Sequence, residues 1–291
     1  MGSNARKDVG LYVAVAGVAL ALAVLVYHVH LSDLESHATR SAKQQKREQQ
    51  RVQRRQRKDI QLERRKHERA KEREQIQQTM TDEQKREQME RIKMQRVEQY
   101  QKLEASLSGE LRVVVDLAFA ANQTTRECHS VMKQLGCVYG YMKKCPLDQL
   151  ISLQVASCSG DVAAIAQHHG VSSWKIRVHE GPLDRLYTPE EIVYLSPDAT
   201  EVLREVDPRF VYVVGGIVDR SVRKGESITK ATMHRFRTMR LPLAEYLDVR
   251  KPVLNIDSVI IALNEVYNHN DWSRALERAV PKRLATAKSK K

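Results

Sequence analysis

The sequence lacks closely spaced cysteine pairs, the usual signature of a zinc cluster. Its four cysteines are nine, eight and thirteen residues apart, at Cys128, Cys137, Cys145 and Cys158. We therefore expect no metal site from these cysteines and the nearby histidines His129, His168 and His169. Scattered cysteines of this kind predict free thiols, and hence a reducing compartment such as the cytosol, the nucleus or the mitochondrial matrix.

Glycine and proline are both absent from Ser36 to Leu107. This segment consists mainly of Gln, Glu, Lys and Arg, which favour helix, and nothing in it would break one. Its apolar residues are too sparse for a coiled coil of several clean heptads. We predict a long, solvated, basic helix that is at most coiled-coil-like and serves as a spacer.

The positive charge of the chain is concentrated in the same segment. Arg40 to Glu74 contains fifteen Lys or Arg and six Asp or Glu, a net charge of +9 out of +13 for the whole chain. Such a block attracts nucleic-acid phosphates or an anionic lipid surface, although it could also be a merely solvated helix. The candidate phosphate contacts in this arm are Arg54, Arg55, Arg57, Lys58, Arg64 and Arg65.

One long uncharged run occurs near the N-terminus, from Gly10 to Val29. Its twenty residues would span the roughly 30 Å core of a bilayer as a helix, so it is a candidate membrane span. The alternative, a cleaved signal peptide, has a shorter apolar run. Because many cations follow the run, the positive-inside rule predicts that the rest of the protein lies in the cytoplasm or on the matrix side of a mitochondrial membrane.

After Gly109 the pattern changes to apolar strand-like runs that alternate with helical segments, which predicts an α/β domain with a mainly parallel sheet. The predicted strands are Leu111–Phe119, Leu150–Ser157, Trp174–Val178, Glu191–Ser196 and Phe210–Gly216, and Arg237–Leu243 is predicted as a strand and turn. The predicted helices are Glu127–Leu135, Gly160–His169, Ser227–His234, Ile256–Tyr267 and Trp272–Val280. The expected organisation is an apolar segment (1–35), a basic arm (36–108), a folded domain (109–284) and a basic tail (285–291).

The stretch VYVVGGIVDRSVRKG, from Val211 to Gly225, is the strongest candidate for a functional loop. No third glycine opens a helix, so it is not a dinucleotide-binding fingerprint. Ligands of parallel sheets lie beyond the carboxyl ends of the strands, where Gly215 and Gly216 would permit close approach and Asp219 follows in a loop. The alternative is an ordinary turn whose aspartate accepts local amide hydrogen bonds.

Four segments carry a resemblance to a known family: EEIVYLSPDATEVL, VYVVGGIVDRSVRKG, TMRLPLAEYL and VLNIDSVIIALNEVYNHNDWSRAL. In their order and spacing they resemble the tRNA purine-9 N1-methyltransferase family of the SPOUT class, over about Leu111 to Arg283. Within that family, VDRSVRKGESITKA, LPLAEYL, NIDSVI and NDWSRALERAVPKR are similar to the branch found as a subunit of mitochondrial ribonuclease P. Arg220 and Ser221 depart from the histidine and asparagine of many members, and ASCSG (Ala156 to Gly160) departs from their usual threonine, serine and paired glycines.

The resemblance implies a trefoil-knotted SPOUT domain, expected to be monomeric, that binds S-adenosyl-L-methionine and methylates N1 of guanine, or of adenine, at position 9 of tRNA. Asp219 is then the general base that removes the guanine N1 proton, a step that adenine does not need. Asp257 would be a second carboxylate of the site or, as we favour, the N-cap of the following helix. The implied cofactor contacts are Leu195, Ser196, Gly215, Gly216, Ile217, Val218, Leu241, Leu243, Leu254 and Asp257. The implied tRNA contacts beside them are Arg220, Arg223 and Lys224.

The same resemblance implies partners and a location. They are tRNA precursors, a short-chain dehydrogenase scaffold and a protein-only metallonuclease, on the matrix side of a mitochondrial membrane with membrane contact through Gly10 to Val29. The alternative location is a cytoplasmic or nuclear membrane surface. Two further alternatives are a non-enzymatic subunit that presents tRNA and has a vestigial methyl site, and a membrane-tethered helical adaptor.

Overall fold

The computed structural model describes residues 46, 48–50, 52–145, 150–218, 225–249, 253–281 and 285–287. The chain divides into two compact units, with the boundary between Gln88 and Met89. Among the helices described, none is long and apolar enough to cross a membrane. The predicted span from Gly10 to Val29 lies outside the described residues.

The arm contains two helices where the sequence predicted one. Residues 52–79 form helix α1, all of it exposed, and α2 is Asp82–Ser106. Between them the Thr81 backbone amide donates to Gln84 Oε1 at 3.0 Å, and the Gln84 amide donates to Thr81 Oγ1 at 3.3 Å. This reciprocal pair is a capping box, which starts a new helix. The prediction of an unbroken helix was therefore wrong at Met80 and Thr81, where this signal outweighs the uniformly high propensity.

The second unit contains a six-stranded sheet in the order β3-β2-β1-β5-β4-β6, and every pairing in it is parallel. The strands are β1 Arg112–Asp116, β2 Ser152–Ala156, β3 Arg177–Val178, β4 Ile192–Leu195, β5 Val211–Gly215 and β6 Arg237–Met239. The parallel α/β architecture is thus confirmed. At the centre of the sheet, β1 and β5 pair so that Asp116 lies beside Gly215 at the carboxyl edge.

Helices connect these strands and cover the sheet. They are α3 Thr125–Lys144, α4 Gly160–His168, α5 Glu226–Met233, α6 Leu243–Tyr246, α7 Ile256–His269 and α8 Trp272–Ala279. A capping box between Thr124 and Glu127 fixes the start of α3, two residues before the predicted start at Glu127. A short antiparallel pair joins β7, Leu247–Val249, to β8, Ala285–Ala287. Part of the segment predicted as a basic tail is therefore a strand.

Two apolar clusters contain alternate residues of the central strands. The larger cluster contains Val113 and Val115 of β1 together with residues of α3, α7 and α8. The smaller cluster contains Val114 of β1 with Phe119 and Phe236. Since successive side chains of a strand point to opposite faces, the two clusters lie on the two sides of the sheet.

Two strand predictions were too long. Of Trp174–Val178, only Arg177 and Val178 pair with the sheet. Beyond β1, residues Leu117–Asn122 form a 3-10 helix in place of further strand. The cause is local: the Asp116 carboxylate accepts a hydrogen bond from the Ala118 amide at 3.1 Å and turns the chain.

Candidate active site

The carboxyl edge of β5, β4 and β6 collects most of the predicted cofactor contacts. Leu195 ends β4 and Gly215 ends β5, and these strands are neighbours in the sheet. On the other side of β4, the Ser196 amide donates to the Met239 carbonyl at 3.0 Å, which places the chain after β4 beside the chain after β6. Strand order, which sequence spacing does not reveal, is what brings these segments together.

The larger apolar cluster contains five of the predicted contacts. Its buried members are Leu195, Leu241 and Leu243, and Val218 and Leu254 pack against the same cluster while remaining partly exposed. Ile217 behaves differently, because it packs against the smaller cluster on the other face of the sheet. The structure therefore groups the predicted apolar contacts except Ile217.

Gly216 is held against the end of β1. Its amide donates to the Asp116 carbonyl at 2.9 Å, and a Cβ at this position would lie 2.9 Å from that oxygen and 3.0 Å from Leu117 Cδ2. A Cβ at Gly215 would meet the softer Ser227 Oγ at 3.2 Å. The close approach that requires a glycine is thus between Gly216 and β1, whereas approach of these glycines to a cofactor stays a prediction.

Gln123 forms two hydrogen bonds with the backbone just before the predicted catalytic loop. Its side-chain Nε2 donates to the Gly216 carbonyl at 2.7 Å, and its Oε1 accepts from the Val218 amide at 3.3 Å. Asp219, the predicted general base, comes next in the chain but lies outside the described residues. The same is true of the predicted tRNA contacts Arg220, Arg223 and Lys224.

Asp116 lies beneath these glycines as a fully buried carboxylate. It accepts hydrogen bonds from Tyr194 Oη at 2.9 Å and from Lys230 Nζ at 2.5 Å, in addition to the Ala118 amide. Burial, followed by the negative charge of Asp116, raises the pKa of Tyr194 well above its ordinary value, so Tyr194 is a neutral donor. Three donors, one of them the cation of Lys230, compensate a buried charge that would otherwise be strongly destabilising.

Sequence reasoning missed this buried cluster. Asp116 was visible only as the acidic residue that ends a β-branched run, and Lys230 as one cation in a short helix. The available signal was an aspartate at the end of a central parallel strand, where ligand sites lie. Nothing in the sequence pairs it with Lys230, which follows it by 114 residues.

Asp257 does not cap α7, so the favoured interpretation of this residue was wrong. Asn255 occupies the N-cap, and the Ile256 amide donates to Gln134 Oε1 of α3 at 2.8 Å. Asp257 lies in the first turn, and its Oδ1 is buried with no hydrogen-bond partner among the residues that the structure describes. An unpaired buried acceptor costs on the order of 1–3 kcal/mol, which a donor on a bound ligand would recover.

Comparison with known proteins adds a family assignment to this geometry. A sequence model of the family described as tRNA (guanine(9)-N(1))-methyltransferase TRM10/TRM10A matches residues 35–285. Zebrafish (Danio rerio) tRNA methyltransferase 10 homolog B is 31% identical over 196 residues, which cover 62% of this chain and 61% of that protein. The human homolog B is 31% identical over 188 residues, covering 61% and 59%. The chain thus spans about three fifths of the length of these curated relatives.

A solved structure shares the fold. Full-length spTrm10 in complex with SAH aligns with a TM-score of 0.54 at 21% sequence identity, covering 60% of this chain and 96% of that one. The match supports the parallel α/β architecture of the second unit. The family model itself matches most of the chain, residues 35–285. The chain belongs to the tRNA (guanine(9)-N(1))-methyltransferase TRM10/TRM10A family.

Proposed function

We propose that this chain transfers a methyl group from S-adenosyl-L-methionine to N1 of guanine at position 9 of tRNA. Membership of the family supports the reaction, and the SAH bound to spTrm10 supports the cofactor class. The observation in this chain that carries the proposal is the fixed backbone of Gly216 to Val218, which Gln123 and the end of β1 hold in place directly before Asp219.

The carboxyl edge fits such a cofactor. Val218 and Leu254, which are partly exposed beside the buried Leu195, Leu241 and Leu243, offer apolar contacts, and the unpaired Oδ1 of Asp257 offers a buried acceptor for a hydroxyl or amino donor. Bound there, S-adenosyl-L-methionine would supply an electrophilic methyl group on a sulfonium. The trefoil knot that would thread α7 behind this edge is part of the proposal, and its support is the resemblance to the SPOUT class.

Asp219 would act on the purine. Guanine N1 is protonated at neutral pH, and a partly dry carboxylate can accept that proton and leave the nitrogen lone pair free. Gly216, Val218 and Gln123 would orient the loop that carries this carboxylate. For adenine, whose N1 has no proton, orientation alone could suffice.

Asp219→Asn is the decisive variant because it preserves shape but cannot accept the proton. Single-turnover methylation of a guanine-9 tRNA should fall by about 10²-fold or more, with cofactor affinity by calorimetry and tRNA affinity nearly unchanged. Higher pH should partly rescue the variant on guanine, and the loss on an adenine-9 tRNA should be much smaller. Equal losses on both purines would show that Asp219 only positions the substrate, and absence of cofactor binding by the wild-type chain would refute the activity itself.

The arm would hold tRNA through its phosphates. All six predicted cations of this region lie on the exposed α1: Arg54, Arg55, Arg57, Lys58, Arg64 and Arg65. Replacing them with Gln should weaken tRNA binding and flatten its dependence on salt by about 0.7 to 0.9 per lost phosphate contact. An unchanged slope would show that this charge faces lipid or solvent.

A role in mitochondrial ribonuclease P is a second, narrower proposal. Its support is the similarity of VDRSVRKGESITKA, LPLAEYL, NIDSVI and NDWSRALERAVPKR to that branch, whereas the relatives reported above are homologs B. It would place the chain on the matrix side of a mitochondrial membrane, with a short-chain dehydrogenase scaffold and a protein-only metallonuclease as partners. The test is whether adding this chain to those two proteins restores cleavage at the 5′ end of precursor tRNA. The alternative of a tRNA-presenting subunit without methyl transfer predicts such cleavage without cofactor binding.

A further inference from the structure

Three histidines meet on the surface between α3 and α4. His129 Nδ1 lies 2.9 Å from His169 Nε2, and the ring centroids of these two residues are 5.2 Å apart. The ring of His168 lies 5.8 Å from each of the other two. His168 is exposed and the other two are half-buried, so a large ligand can reach the group. We call these residues together with Lys133 the histidine patch.

The charges that face this patch are positive. His129 and Lys133 come from α3, and His168 comes from the last turn of α4. The 3-10 helix that follows, Val171–Ser173, contributes no titratable side chain. Burial, then His129, His168 and Lys133, lowers the pKa of His169. The carbonyl end of α4, by contrast, favours a protonated imidazole.

A metal ion is a poor occupant for the patch. The 2.9 Å contact between His129 and His169 is a hydrogen bond between two imidazoles, which uses the lone pair of one of them. Among the residues that the structure describes, no group of three or more His, Cys, Asp or Glu could hold a metal ion. An external anion, by contrast, would supply the negative charge that the facing side chains do not.

The patch also lies near the candidate active site along the chain. Gln123, which holds Gly216 and Val218, immediately precedes the capped start of α3. Helix α3 begins at Thr125, and at 1.5 Å per helical residue His129 lies about 6 Å along it. The first turns of α3, which include His129, thus follow the carboxyl end of β1, the strand that contacts Gly216.

We propose that His129, Lys133, His168 and His169 form a contact surface for the phosphate backbone of the bound RNA, and that RNA binding there takes up protons. This inference rests on the proposed function, because it assumes a tRNA substrate. Phosphate beside an imidazole favours the protonated form, so the bound patch carries more protons than the free one. The contribution to affinity is then present at low pH and is lost as the pH rises through the imidazole range.

The test is tRNA affinity of the full chain between pH 5.5 and 8.0 at constant ionic strength. Wild-type affinity should fall as pH rises. The variant His129→Gln/His168→Gln/His169→Gln should bind about three- to tenfold more weakly at pH 6, with a salt slope lower by about 0.7 to 0.9 per lost phosphate contact, and should match wild type at pH 8. His168→Arg should bind tRNA more tightly than wild type at pH 8, because the introduced arginine keeps its positive charge at that pH. His234→Gln, at an exposed histidine that ends α5, is the matched control and should keep the wild-type slope.

The outcomes separate the two proposals. An unchanged pH slope in the triple variant, while guanine-9 methylation proceeds, would overturn the histidine patch alone. Micromolar Ni²⁺ or Zn²⁺ binding that is lost in the triple variant, with tRNA affinity unaffected, would overturn it in favour of a metal site. Absence of tRNA binding at every pH would overturn the proposed function together with the patch.

Discussion

The two faces of the sheet differ sharply at the same carboxyl edge. On one face, the edge consists of apolar residues of the larger cluster: Leu195, Leu241 and Leu243 are buried, and Val218 and Leu254 are partly exposed. On the other face, the edge contains a fully buried carboxylate, its lysine and a neutral tyrosine. The first face carries the proposed cofactor contacts, and the other holds the backbone that precedes Asp219.

Gly216 lies at the junction of the two faces. Its backbone contacts Asp116 of the polar cluster, while Val218, two residues later, packs against the larger apolar cluster. The loop before Asp219 is therefore positioned by buried polar contacts, and the proposed cofactor surface by apolar packing. Variants on each side should separate stability from ligand binding.

The largest expected effect comes from removing the buried cation. Lys230→Met leaves Asp116 fully buried without its charge partner, and we expect a loss of about 3 kcal/mol of unfolding free energy. Urea denaturation measures it. Adding Asp116→Asn should recover much of the loss, because no buried charge then remains. Lys144→Met, at an exposed lysine of α3, is the control, and an equally small loss in both single variants would contradict the assigned role of the pair.

A smaller loss is expected at the junction. Gly216→Ala places a methyl group against the Asp116 backbone oxygen, which cannot move without disturbing β1, and should cost about 1–3 kcal/mol. Gly140→Ala is the matched control, since a Cβ there meets nothing within 4 Å and helix α3 gains a better helix former. Thermal unfolding of both variants gives the comparison. A Gly216→Ala protein as stable as wild type would mean that β1 and the loop can separate freely.

Loosening the loop without a clash should have a milder effect. Gln123→Ala removes both hydrogen bonds to the loop, at a cost of about 1 kcal/mol. The Val218 amide should then exchange with solvent about fivefold faster, and methylation should slow without a change in cofactor affinity. Gln167→Ala, at an exposed position of α4, should leave exchange at Val218 as in wild type. If the Val218 amide stayed as protected from exchange in Gln123→Ala as in wild type, Gln123 would not be what holds the loop.

The smallest effect should come from an ion pair that resembles the buried one but is exposed. Glu201 and Arg237 pair at the β6 edge with side chains that are both 46% exposed, and Arg237 lowers the pKa of Glu201. Because the folded-state pKa of Glu201 is lowered, the ion pair contributes to stability above the unfolded pKa near 4.5. This contribution is lost as the pH falls through the folded-state pKa. Arg237→Gln should therefore change stability at pH 7 by at most about 1 kcal/mol and reduce the loss on acidification. Urea midpoints at pH 7 and pH 3 measure this difference, and a larger change than in Lys230→Met would reverse the ranking.

The sequence predicted the sheet more fully than the site. Runs such as Val211 to Gly215 are rich in β-branched residues and end at a glycine, so the strands could be predicted from local pattern. The parallel class followed from the alternation of such runs with helical segments. The pairing of Asp116 with Lys230 did not, because it depends on strand order and on contacts across more than a hundred residues. The prediction that Asp257 caps α7 was wrong for a related reason. At the start of α7 the Ile256 amide donates to Gln134, which lies on a helix that is distant in sequence.

The antiparallel pair of β7 and β8 has a consequence for handling the protein. Leu247–Val249 pairs with Ala285–Ala287, so residues 285–287 shield the backbone of β7. A truncation that removes residues 285–287 would expose a strand edge that can pair with another molecule. Self-association of such a truncated protein would then reflect the loss of this edge partner.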